Sequence, residues 1–236
     1  MLEITLKENG KKYCFAADIN KNIELIGGTV AGNGSIGWSN EGISLEKIAE
    51  KILGAKSVDI LAAAVDDTLY PMDHIITKNH TVSFIFPTAP LGRRLRHYYA
   101  LFCVLKSMHT LYHVPCTVQN YDEHGFSCTF SADFAFSDSV WSDFKAHLAA
   151  EIVSAALVQK RLPYYQAFSL LKQSGSSALV EQFITNEHYD GLRLVISGDF
   201  ACYHEELAIA DKNLYPQLEL SYTCENNALI IRGHIR

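Results

Sequence analysis

The densest group of chemically able side chains is Cys202-Tyr-His204-Glu205-Glu206. A thiol, an imidazole and two adjacent carboxylates can bind a metal or handle a proton. On a strand, Cys202, His204 and Glu206 share one face, because successive side chains alternate. In a solvated loop after Asp199 they have no common direction, and both readings stand at this level. A second group opens a long apolar segment: Arg93, Arg94, Arg96 and His97, then Tyr98 and Tyr99. Guanidiniums beside aromatic rings suit phosphates and stacked bases. RNA contact by Arg93, Arg94, Arg96 and Tyr99 is one reading, and a solvated charged face is the other. His97 separates from that cluster. At 100° per residue it lines up with Leu101, Val104, Leu105, Met108 and Tyr112, on the interior side of a helix. There it is either a hydrogen-bonded core residue or a catalyst.

Weaker motifs have simpler explanations. His109 and His113 lie four apart on one helix face, as in a metal site, but no acid or cysteine is spaced to complete it. Histidines at a helix carboxyl end also meet the negative end of the dipole. Gly32-Asn-Gly34-Ser-Ile-Gly37 spells the dinucleotide-binding fingerprint, yet no helix follows it directly, so it reads as a loop. The six cysteines are spread along the chain with no close pair, which excludes a zinc ribbon or a redox pair. They read as small core residues in a reducing compartment. No cofactor is implied, and the ligand count does not support zinc.

These groups need a scaffold, and 236 residues allow one large domain or two small ones. Hydrophobic residues make up 48% and charged ones 19%, enough for a substantial core. Twenty basic against twenty-six acidic residues give a charge of −6, which excludes attachment to nucleic acid by bulk charge and leaves local basic patches open. No apolar run is long enough to span a membrane, and no apolar leader opens the chain, so a cytoplasmic location without membrane contact is expected.

The pattern predicts a hairpin of Leu2–Leu6 with Lys12–Phe15, then a glycine-rich loop over 27–42. Ser44 caps a helix through Leu45, Ile48, Ala49 and Ile52 that Gly54 ends. Strands follow at Ile60–Val65 and Thr81–Phe86, and Pro87-Thr-Ala-Pro90 marks a domain boundary. A long helix is predicted from Leu91 to His113, and a hairpin from Cys116–Asn120 with Phe126–Phe130. A second long helix should run from Ser137 to about Lys160, stopped by Pro163. A short helix near Gln166–Gln173 and strands at Leu192–Ile196, Gln217–Tyr222 and Ala228–Arg232 complete the expectation.

The order of parts carries a resemblance. A small roll is followed by Leu95-Arg-His97, then His124-Gly-Phe126-Ser-Cys-Thr-Phe, then Arg161-Leu-Pro163 and Gly198-Asp-Phe200. This resembles the amino-terminal half of threonyl-tRNA synthetase, a TGS domain followed by the editing domain shared with alanyl-tRNA synthetases. The resemblance implies an α+β chain: a small TGS-type β-grasp roll over 1–88, with an insertion near 19–42, and an editing-like domain over 91–236. In the latter, two long helices pack on an antiparallel sheet. The family's editing motif is His-x-x-x-His on the first helix and Asp-x-Cys-x-x-x-His after the Gly-Asp-Phe. His97 matches the first histidine, and Leu101 stands at the second. Cys202 takes the aspartate position, His204 the cysteine position and Ala208 the last histidine. His97, Cys202 and His204 are therefore the implied catalytic candidates in a departed site.

The closing Leu214-Tyr-Pro-Gln-Leu218-Glu-Leu220 and Asn227-Ala-Leu-Ile-Ile-Arg232 resemble a related version in front of uridine-kinase-like nucleoside kinases, which also lacks the paired histidines. No P-loop occurs in these residues, so this chain is not itself the kinase. Three functions follow as expectations. The first is a module that has lost hydrolysis and recognises a tRNA acceptor end, another RNA or a protein partner. The second is a deacylase of mischarged aminoacyl-tRNA with a rearranged site. The third is a regulatory front half for a catalytic domain absent from this chain.

Overall fold

The computed structural model describes residues 2–17, 23–27, 42–131, 136–175, 191–204, 207–225 and 228–236. It is a mixed α+β protein that divides into two compact units, Met1–Ala89 and Pro90–Arg236.

In the first unit, β1 (Leu2–Leu6) and β2 (Lys12–Ala17) form the hairpin, and β3 (Ile23–Gly27) extends it. Alternation along β1 buries Leu2, Ile4 and Leu6 and leaves Glu3 and Thr5 half-exposed. A short β4 (Ile43–Ser44) leads into α1 (Leu45–Leu53), whose first turn is capped by the Ser44 hydroxyl accepting from the Lys47 amide. A 3-10 stretch, Gly54–Asp59, follows. The strands β5 (Ala62–Val65), β6 (Thr68–Tyr70), β7 (Ile75–Ile76) and β8 (His80–Ile85) complete the unit. Its main sheet runs β3-β2-β1-β8-β5-β6, with β1 and β8 parallel and the other pairs antiparallel. Ile48 and Ala49 on α1 pack with Ile4, Phe15, Val82 and Phe84 in its core.

The second unit is built around α2 (Pro90–Tyr112), buried at every residue from Leu95 to Leu105. One side faces a sheet ordered β14-β15-β10-β9, formed by β9 (Cys116–Tyr121), β10 (Phe126–Ser131), β14 (Leu218–Glu225) and β15 (Ala228–Ile235). Gly233 of β15 lies where a Cβ would meet the Phe126 ring, so a glycine is needed for that close approach. The helix α3 (Asp138–Ser154) packs against α2, capped by the Ser137 hydroxyl. A three-stranded sheet, β11 (Val158–Leu162), β12 (Leu192–Ser197) and β13 (Phe200–Tyr203), also meets α2 and holds α4 (Tyr164–Gln173) on its other face. Gly191 enters β12 at φ +103°, where a Cβ would lie 2.3 Å from the Leu162 carbonyl oxygen. Only glycine accepts both the backbone angle and the contact.

Two expectations are corrected. The second long helix stops at Ser154 rather than near Lys160, and its expected last turn is the edge strand β11. Pairing of Val158–Leu162 with β12 outweighs the local helical pattern, as tertiary contacts commonly do. The segment after Asp199 is the buried strand β13 rather than a solvated loop. The glycine-rich stretch over 28–41 and Gly32-Asn-Gly34-Ser-Ile-Gly37 within it lie outside the described residues, as do Glu205 and Glu206.

Candidate functional site

Consecutive residues on a helix point 100° apart, so Arg96 to Tyr99 address different walls of the second unit. Arg96 is only 6% exposed; its Nε donates to Asp211 at 2.7 Å and its second amino group to Gln217 at 2.8 Å. This ties α2 to the chain that leads into β14. Tyr99 is fully buried and donates its hydroxyl to the Ile152 carbonyl of α3 at 2.6 Å. The expectation that Arg96 and Tyr99 contact RNA is therefore corrected: both are spent on holding α2 in place. The reason is that α2 is surrounded, so its amino-terminal cluster does not share one solvated face.

His97, at 1% exposure, is held at both ring nitrogens. The Ile235 amide donates to Nε2 at 3.0 Å, which makes that nitrogen the acceptor. Nδ1 carries the proton and donates to the Asp122 carbonyl at 2.8 Å. Burial, the largest influence, lowers the imidazole's proton affinity and favours this neutral form. A general base needs an unoccupied lone pair beside its substrate, and His97 has none to offer. The catalytic role expected of it is corrected to a structural one: it pins the β9–β10 turn and the end of β15 to α2.

Tyr98 turns toward the three-stranded sheet. Its ring stacks on His204 with centroids 3.3 Å apart and planes 6° from parallel. Tyr121 of β9 meets the same imidazole edge-on, its hydroxyl oxygen 3.4 Å from Nδ1. His204 is 2% exposed, and its Nε2 has no hydrogen-bond partner among the described residues. Burial first, then the positive charges of Arg94 and Arg193, push its pKa down to about 3. The Cys202 thiol lies beside the Tyr98 hydroxyl, and burial pushes it up to about 12. A thiol held protonated in this way is a packing group rather than a nucleophile. The structure thus brings Cys202 and His204 together around Tyr98, and engages His97 elsewhere.

Strand pairing supplies cations that sequence reading did not connect. Arg161 on β11 stands directly opposite Arg193 on β12. The His204 amide in turn bonds the Arg193 carbonyl at 3.1 Å. Arg161, Arg193 and His204 therefore form a row across the sheet, on the side facing α2, where Arg94 adds its field. Both strand arginines are exposed, and Arg93 and Arg94 are half-buried. No local motif announces this row, because its members come from two strands, the residue that follows a third, and a helix.

His109 and His113 approach edge-to-face at the end of α2 with centroids 5.5 Å apart. Among the described residues, no three histidine, cysteine or acidic side chains come together in a way that could hold a metal ion. No helix among them is long and apolar enough to cross a membrane. No family model and no curated protein matches the chain.

Proposed function

We propose that the chain is a TGS and editing-like module, similar to that of threonyl-tRNA synthetase, which recognises RNA without hydrolysing an aminoacyl ester. The observation that carries this reading is the double engagement of His97, which leaves the site without its expected base. His204 supports it: an imidazole that takes up a proton only near pH 3 is a weak base at neutral pH. The row of Arg161 and Arg193, with Arg94 behind it, supplies charge for phosphates on a chain whose total charge is negative. A tRNA acceptor end is the substrate class the resemblance implies. The resemblance to the region in front of nucleoside kinases implies the other reading, a regulatory front half for a catalytic domain absent from these residues.

Binding of tRNA should weaken in an Arg94→Ala, Arg161→Ala and Arg193→Ala variant. The slope of log affinity against log salt should flatten by about 0.7–0.9 for each phosphate that the variant no longer neutralises. Seryl-tRNA for threonine should stay intact in the presence of the wild-type protein. Equal binding by the triple variant would remove the RNA reading. Turnover that disappears in His204→Phe would replace it with a deacylase working from the Tyr98–His204 pair.

A further inference from the structure

The first unit carries a cleft of about 740 Å³ between α1, the 3-10 stretch and Met72. That volume falls within the roughly 300–1,000 Å³ of ligand clefts. Ala55, Val58, Ile60 and Met72 give it an apolar wall, and Glu46 and Glu50 add carboxylates one helical turn apart. Val58 is 86% exposed, the most exposed large apolar side chain among the described residues. The 3-10 stretch that presents it buries none of its own residues. A single exposed apolar side chain is ordinary on a protein surface, but this one adjoins the apolar wall of the cleft and extends it. The charges around it are sorted. Of Glu46, Lys47, Glu50, Lys51, Lys56 and Asp59, only the two glutamates line the cleft.

From the apolar wall and this charge complementarity, we propose that the cleft docks a basic amphipathic helix of a partner protein. Its apolar face covers Val58, Ile60 and Met72, and a lysine or arginine on an adjacent turn sets against Glu46 and Glu50. The inference is independent of the RNA reading, whose residues all lie in the other unit.

The probe is a synthetic peptide of about 15 residues with leucine and lysine at amphipathic helical spacing. A leucine–glutamate peptide of the same pattern is the charge control. Titrated into the full chain, the lysine peptide should move amide resonances over residues 46–60 and at Met72. Val58→Asp, and separately Glu46→Lys with Glu50→Lys, should each weaken it by at least about tenfold. All three positions are exposed, so the variants keep the fold. Absence of binding, equal binding by the variants, comparable binding of the glutamate peptide, or shifts spread over other residues would each overturn the proposal. Self-association of the chain that Val58→Asp abolishes would also overturn it, by assigning the surface to a second copy.

Discussion

His97 and His204 show how one residue type takes opposite situations within a single unit. His97 has two backbone partners, whereas His204 has an aromatic stack and an Nε2 with no hydrogen-bond partner among the described residues. Both are held neutral by burial below the ordinary histidine value of 6.5. In the unfolded chain each takes up a proton near that value, while in the folded protein each resists it to lower pH. The unfolded state therefore binds more protons in acid. Stability is fully present above about pH 6.5 and falls as the pH drops toward 3. Each such group adds up to about 1.4 kcal/mol per pH unit across its window. His204→Phe keeps a ring on Tyr98 and removes the titration. Urea unfolding of this variant between pH 6.5 and 4 should show a slope reduced by about that amount. An unchanged slope would mean that His204 titrates as it does in the unfolded chain. His97 was legible as an interior residue from its helical alignment with Leu101 and Met108. Its two partners were not legible, because Asp122 and Ile235 meet it only through the sheet.

At the scale of elements, a buried ion pair fastens α2 to its neighbours. The Lys106 ammonium donates to Glu151 of α3 at 2.7 Å and to the Ser197 hydroxyl of β12 at 3.0 Å. Two of the three N–H groups of Lys106 are spent on partners from two different elements. The cluster is therefore a structural joint among three elements. Glu151→Ala leaves the ammonium in a poorly solvated site and should cost about 3–5 kcal/mol. Lys106→Met combined with Glu151→Leu replaces both charges with apolar volume and should fall within about 1 kcal/mol of wild type, or above it. A double-mutant cycle by chemical denaturation measures the coupling. Additive losses would show that the two side chains act separately. The elements themselves were largely readable, through Ser44 as a cap, Gly54 at the end of α1 and the proline-marked break before α2. The end of α3 was not, since Ala155-Ala-Leu-Val continues a helical pattern without a breaker and only pairing with β12 makes it a strand.

For the whole molecule, the decisive feature is that each unit has a hydrophobic cluster of its own, one with Ile48 and Phe84 and one around α2 with Phe102 and Phe130. Ile48 is fully buried, and Ile48→Ala should cost its unit about 2–5 kcal/mol. Amide hydrogen exchange should then quicken in α1, β1 and β8 and stay unchanged in α2, β10 and β15. Quickening in both sets would show that the two units open together.

Residue order alone determined an α+β chain with a proline-marked break, the amphipathic strands and capped helices, and the interior position of His97. Those features rest on local periodicity, capping and backbone restriction, which act over a few residues and are written in them. Tertiary structure decided which wall each side chain of α2 meets, that Arg96 and Tyr99 are fasteners, and that Arg161, Arg193 and His204 form one row. These depend on strand register and helix surroundings, so residues as far apart in sequence as Arg161 and Arg193 become neighbours only when the sheets assemble.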